Sequence, residues 1–447
     1  MLTKEEIGNL DILSLHKIHF IGITSGFNSF CANYLISKGI KVTASEIKQD
    51  SPEAKEWIEK GVLYAVGHDA KYITDDVELV VYPNGPIPGN PECEATEAKG
   101  IRAITIAQMT GIISKNFKVI AIAGTHGKTT TSSLVVWLLY KHFGVLPNFI
   151  IGDNILGINK SWNYNPEIEY LVVEACEYKR QFLDRAPTPF ISVLTNVELD
   201  HTDYYKSQDD YNSAFSEFIS NTSKYVVLDS RGININSVVD NSYTNASIVD
   251  IQVIENEYIN VRGNLMGNHN KENVLRACGV AKALDIIPNI EDFPGVASRF
   301  EYKGDTVNGM PVYLDYAHNP KKIMSCLQEA KEMYPDKKIV FVWQPHSFER
   351  TYSFQDEFAH SLGNADIIFI PNIFAPTREQ DQFKNLITEE SFVAYLKQKN
   401  SEKEIIYTKD FENTAVMLND VMYNDSYVCV LASAGDLKSI LTMIKFK

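Results

Sequence analysis

Closely spaced cysteine pairs are missing from this chain. Its six cysteines, at 31, 93, 176, 278, 326 and 429, are scattered with no CxxC spacing, so buried reduced thiols are expected, not a metal cluster or a disulfide framework. Positive charge is also scarce: 42 Lys and Arg stand against 57 Asp and Glu, a formal charge of −15 at pH 7. Nucleic acid and anionic membranes both require basic surfaces, so neither is an expected partner. No apolar run reaches membrane-spanning length, no basic and apolar leader opens the chain, and no repeat or low-complexity tract occurs. A cytoplasmic globular protein is the expectation. Its 447 residues, 45% hydrophobic and 22% charged, suggest roughly three domains at about 150 residues each.

What is present is an alternation of apolar strands and helical periods in three blocks. In the first block Lys17–Ile23 and Ile40–Glu46 read as strands around a helix over 28–38. Gly22 and Gly26 lie in the first turn and Glu46 ends the second strand, a βαβ unit with Thr24 at the second glycine position of a dinucleotide fingerprint. Glu46 then reads equally as a ribose ligand or a solvated strand-end charge. Val77–Pro83 is a further strand, before the turn-rich segment Asn84–Pro91. The second block has strands over 119–123, 170–174 and 190–196, and the third over 312–315, 338–343, 366–370 and 427–431. Strands alternating with helices predict an α/β protein with mainly parallel sheets.

Gly124-Thr125-His126-Gly127-Lys128-Thr129-Thr130 follows the first strand of the second block and precedes a helical period. Strand, glycine turn, Lys-Thr and helix in that order make a phosphate-binding loop: backbone N–H groups face phosphate oxygens, Lys128 adds charge, and the Thr129 hydroxyl is a Mg²⁺ ligand. The position five before Gly127 is Ile122, where the usual pattern has glycine. Glu174 ends a neighbouring strand, and a carboxylate with Thr129 is the hard-oxygen set that Mg²⁺ with a triphosphate needs. Glu177 reads as a residue behind the metal or in solvent. His201, within Asp200-His201-Thr202-Asp203, follows the next strand; a lone histidine is usually ordinary, but its place at a strand end favours a role. Asn273, in the segment Gly267–Asn273 ahead of a helix, reads as a cap or as an amide that meets an adenine edge. Asp315 with His318, and His346 with Arg350, close strands in the third block.

Together these motifs resemble the Mur ligase family, ATP-dependent ligases that build the peptide stem of peptidoglycan. The likeness covers nearly the whole chain and rests on Gly124–Thr131, Glu174-Ala175-Cys176-Glu177, Thr195–Asp203, Gly267–Asn270, Ser298–Glu301, Asp315–His318, Gln344–His346 with Arg350, and Ala434-Gly435-Asp436. His126 in the loop, and the absence of lysine from Asp210–Glu217, are similar to the branch that adds L-alanine. Asn319 stands where that branch usually has a second histidine, and Ser347 where it tends to have arginine.

The resemblance implies three domains: a Rossmann-like domain over 1–115 for the UDP substrate, a central P-loop ATPase over 116–298, and a Rossmann-like ligase domain over 299–447 that closes over the active site. It implies a cytoplasmic monomer or weak homodimer using ATP and Mg²⁺ to join L-alanine to UDP-N-acetylmuramate through an acyl phosphate. Gly124, Thr125, His126, Gly127, Lys128, Thr129 and Thr130 would hold phosphate, and Thr129, Glu174 and His201 the magnesium. Asn273 would meet adenine, Asp315 ribose, and Arg299 the γ-phosphate. His318 would be the base, His346 and Arg350 would face the amino acid, and Gly22 and Glu46 the nucleotide sugar. A related ligase for another acceptor, such as a tripeptide, and a non-catalytic nucleotide-binding homologue are the alternatives; the full loop and metal set weigh against the second.

Overall fold

A computed structural model describes residues 1–47, 51–202, 204–258, 261, 265, 268–375 and 381–447; Asp203 and Gly267, read above as parts of motifs, lie outside them. The α/β class with mainly parallel sheets is as expected, and the described strands form three sheets. Two compact units divide the chain: Met1–Asn264 with Glu272–Pro294, and Leu265–Lys271 with Gly295–Lys447.

The first unit carries two sheets. One runs Leu63–Val66, Lys41–Glu46, Lys17–Ile21, Leu79–Tyr82, Arg102–Thr105 in spatial order, parallel throughout. Strand order therefore reverses beside Lys17–Ile21, which places the Gly22 turn at a switch point where such sheets bind ligands. The second sheet runs Ser247–Asp250, Tyr225–Leu228, Ile191–Leu194, Lys118–Ala123, Tyr170–Glu174, Asn148–Ile155, Lys160–Asn163. Its last pair is an antiparallel hairpin. Lys118–Ala123 sits at the centre because both its faces are apolar, and all of Val119–Ala123 is buried.

The two sheets share a core. Phe30 and Tyr34, on the helix Gly26–Ser37, meet Phe117 and Tyr164 at ring distances of 5.8 to 6.1 Å. The helix Ile106–Ser114 packs on Gln181–Arg185 so closely that a Cβ on Gly111 would lie 1.8 Å from the Asp184 carbonyl oxygen. Only glycine permits that approach, and it fixes the helix that carries Arg185.

Asn268–Leu284 is one continuous helix, so Asn273 is helical and does not precede the helix as a cap. Tertiary hydrogen bonding outweighs the local capping preference of asparagine here: the Asn273 carboxamide is buried and accepts from the Thr131 hydroxyl at 3.1 Å.

The second unit has one sheet, in the order Glu301–Asp305, Pro311–Asp315, Tyr427–Ala432, Lys338–Trp343, Ile367–Ile370, Glu404–Tyr407. Only its first pair is antiparallel. Asp315 and Trp343 end the two strands that flank Tyr427–Ala432, both parallel to it, so the segments after them leave the same edge of the sheet.

Candidate active site

The phosphate loop is held open by contacts that exclude side chains. Gly124 has φ +138°, and a Cβ there would lie 2.0 Å from Thr195 Oγ1. Gly127 has φ +78°, and a Cβ would lie 2.6 Å from Asn273 Oδ1. Both are left-handed positions that favour glycine. Asn196 pins the turn by accepting from His126 N–H at 2.9 Å and donating to His126 C=O at 3.2 Å. The Thr125 hydroxyl donates to Glu198 C=O at 2.7 Å. Thr129 and Thr130, both buried, open the helix Lys128–Phe143, and a helix N-terminus presents N–H groups that suit an anion.

Lys128 reaches back into its own loop. Its Nζ donates to the carbonyls of Gly124 and Thr125 and lies 3.0 Å from Glu177 Oε2. Burial opposes its charge, but Glu177, Cys176 and Glu174 outweigh burial and hold the ammonium above its usual range. Glu177 is 1% exposed, not solvated; burial raises its carboxyl, yet Lys128 and His201 hold it well below the ordinary value. His201 adopts φ +54°, with Nε2 3.5 Å from Glu177 Oε1 and its ring 4.7 Å from Tyr178. Strained backbone of this kind collects where function fixes a side chain.

Glu174 and Thr129 converge on Gly152. A Cβ on Gly152 would lie 2.6 Å from Glu174 Oε2 and 2.7 Å from Thr129 Oγ1, and the Gly152 N–H donates to Glu174 at 2.8 Å. The pair thus shares one small space that any other side chain would fill. His201 is directed to Glu177, and among the described residues no group of three or more His, Cys, Asp or Glu forms a metal cage.

At the first sheet, Gly22 has φ +80°. Glu46 is not a solvated strand-end charge: its Oε2 accepts from Ile23 N–H and Thr24 N–H, each at 3.2 Å, and from the Thr24 hydroxyl at 2.8 Å. Burial raises its carboxyl, but these donors prevail and lower it.

In the second unit the turn after Ala297 is strained, with Ser298 at φ +55° and Phe300 at φ +45°. Asp315 straps it down by accepting from Phe300 N–H at 2.8 Å, and the Arg299 guanidinium lies 4.8 Å over the Tyr316 ring. Burial pushes the Asp315 carboxyl up, against Arg299. His318 Nδ1 is 2.9 Å from Tyr316 C=O. A carbonyl only accepts, so Nδ1 carries the proton and Nε2 keeps its lone pair. Burial, then Lys322 and Arg350, hold His318 well below its usual value. Its ring is 6.3 Å from His346, which stacks on Phe374 at 5.3 Å and is itself lowered by burial and Arg350.

Each unit therefore gathers its own set: Gly124–Thr130, Glu174, His201 and Asn273 in the first, and Arg299, Asp315, His318, His346 and Arg350 in the second. Sequence reasoning missed Gly152 and the pairing of Glu177 with Lys128, and it placed Asn196 at a strand end without the part it plays in pinning the turn. The spacing of Glu177 three residues after Glu174 was its only local signal.

Known proteins match most of the chain. Three family models cover the chain: "Mur ligase family, catalytic domain" over 17–118, "Mur ligase middle domain" over 122–235, and "Mur ligase, glutamate ligase domain" over 298–435. A UDP-N-acetylmuramate–L-alanine ligase of Clostridium acetobutylicum is 33% identical, with 88% of this chain and 94% of that one covered. The structure of a UDP-N-acetylmuramate–alanine ligase from Thermotoga maritima shares the fold with a TM-score of 0.71 at 22% identity, over 95% of this chain and 97% of the other. A murein peptide ligase from Psychrobacter arcticus does so with a TM-score of 0.67 at 21% identity, over 96% and 98%. The chain belongs to the Mur ligase family.

Proposed function

We propose that this chain is an ATP-dependent ligase that joins L-alanine to the carboxylate of UDP-N-acetylmuramate in cytoplasmic peptidoglycan synthesis, as a monomer or weak homodimer. The observation that carries the reading is the phosphate loop, flanked by the Lys128–Glu177 pair and by Thr129 and Glu174 crowding Gly152. The relatives named above support the choice of substrates. Segments 1–115, 116–298 and 299–447 serve the nucleotide sugar, ATP and the amine.

Phosphoryl transfer to a carboxylate concentrates negative charge on the moving group, so fixed cations do most of the catalysis. Lys128 and the loop N–H groups hold the phosphates, and Arg299 is the further cation assigned to the γ-phosphate. Thr129 and Glu174 are hard oxygen donors, few in number, beside a glycine, and this set fits Mg²⁺, which when bound neutralises phosphate charge. His201, joined to Glu177, completes the set. Asn273 serves adenine and Asp315 ribose, while Gly22 and Glu46 frame the nucleotide sugar.

The product of this half is an acyl phosphate. His346 and Arg350 orient the amino acid, and the neutral amine attacks the acyl carbon. His318 Nε2 accepts the amine proton as phosphate leaves. The low basicity of His318 keeps its lone pair available at neutral pH.

Phosphate release is the test, with ATP, Mg²⁺, UDP-N-acetylmuramate and one amine at a time. Release that needs both UDP-N-acetylmuramate and L-alanine is expected; release with neither, or with an unrelated acid, would sink the reading. Ser347 and Asn319, at positions where the resemblance to the alanine-adding branch implies Arg and His, make a tripeptide the informative second amine.

A further inference from the structure

A nucleotide diphosphate needs donors or cations, and the first turn of the N-terminal sheet has few to offer. Its sequence, Gly22-Ile23-Thr24-Ser25-Gly26, is poor in glycine. The N–H groups of Ile23 and Thr24, which in a glycine-rich turn would face phosphate, donate to Glu46 at 3.2 Å. Glu46 also brings a negative charge to the place where another would bind.

Beside this turn lies a cation that makes no ion pair among the described residues. Arg185 stacks on Phe27, with Cζ 4.1 Å from the ring centroid, at the first turn of the helix Gly26–Ser37. Its guanidinium donates one hydrogen bond within the chain, from Nη2 to Gln181 Oε1 at 2.7 Å, while Nε is enclosed without a partner. Among the described residues no carboxylate forms an ion pair with it, although Glu174, Glu177 and Asp184 are near enough to influence its charge. Gln181 in turn donates to Asn84 at 3.2 Å, tying the arginine to the turn-rich loop after Leu79–Tyr82. A guanidinium with an enclosed, unpartnered Nε and no ion pair is unfavourable unless a ligand completes it. Its planar fork, held against Phe27, suits paired phosphate oxygens.

We propose that Arg185 receives the diphosphate of the uridine nucleotide, replacing the turn N–H groups that Glu46 occupies. The assignment rests on the functional reading above and adds a binding residue to it.

Calorimetric titration of the full chain with three ligands tests this. UDP has the diphosphate alone, UDP-N-acetylglucosamine adds the sugar, and UDP-N-acetylmuramate adds the carboxylate. Arg185→Ala is expected to weaken all three alike, by about 10- to 100-fold, the loss of a charged hydrogen-bonding pair. Arg185→Gln, which keeps a planar head against Phe27, should show the same loss, and Arg185→Lys a smaller one. Retained ADP binding by the variants reports an intact central sheet. Unchanged affinity for all three ligands overturns the proposal, and so does a loss confined to UDP-N-acetylmuramate, which would put the arginine on the carboxylate. If the wild-type chain binds none of the three, the functional reading itself fails.

Discussion

Lys128 Nζ and Glu177 Oε2 lie 3.0 Å apart with the glutamate side chain 1% exposed, so the phosphate-binding cation is half of a buried ion pair. Removing one member of such a pair strands the other. Lys128→Ala is expected to abolish turnover and also to lower unfolding stability by about 3 kcal/mol. Adding Glu177→Gln should restore much of the stability and none of the activity. Chemical denaturation of both variants checks this; a Lys128→Ala protein as stable as wild type would mean the pair carries no such strain.

Gly152 leaves the space in which Thr129 and Glu174 meet. Gly152→Ala needs no unusual backbone but pushes both oxygens aside. ADP affinity in the presence of Mg²⁺ should fall roughly tenfold, about 1.4 kcal/mol, while ADP affinity in EDTA changes little. Equal losses in both conditions would place the metal elsewhere.

Ser347 caps the helix Phe348–Ser353 through Arg350 N–H at 3.1 Å, yet holds φ +71° and ψ +141°. That region belongs almost wholly to glycine, and the strain amounts to about 1 to 3 kcal/mol. Glycine at a cap position loses only a few tenths. Ser347→Gly is therefore expected to raise the melting temperature, read by calorimetry. A lower melting temperature would show that the hydroxyl contributes more than the strain removes.

His318 resists protonation because it is buried and faces Lys322 and Arg350. An unfolded histidine titrates near 6.5, so below that pH the unfolded chain takes up a proton that the folded one refuses. The stability due to neutral His318 is complete above about pH 6.5 and falls as pH drops beneath it. The difference in unfolding free energy between wild type and His318→Gln should shrink from pH 7 to pH 5. A difference that stays constant or grows would contradict the depressed basicity.

Strands such as Lys118–Ala123 and Lys338–Trp343 were legible because buried parallel strands are continuous β-branched or aromatic runs. Lys160–Asn163 and Glu301–Asp305 are polar, partly exposed and antiparallel to a neighbour, and were not read from the sequence. Pairing, not composition, makes them strands. The glycines and lysine of the phosphate loop were legible as local chemistry. The partners of Lys128, Glu46 and Arg185 were not, since Glu177, Thr24 and Phe27 act through contacts that only the folded chain brings about. The cap reading of Asn273 failed for the same reason: its bond to Thr131 joins residues 142 positions apart.

In the proposed reaction this chain activates a carboxylate as an acyl phosphate. UDP-N-acetylmuramate labelled with ¹⁸O in its carboxylate, turned over with ATP, Mg²⁺ and L-alanine, tests it most directly. Mass spectrometry of the released phosphate should find one ¹⁸O from the substrate carboxylate in each phosphate formed. Phosphate released without that label would show that water, not the carboxylate, receives the phosphoryl group.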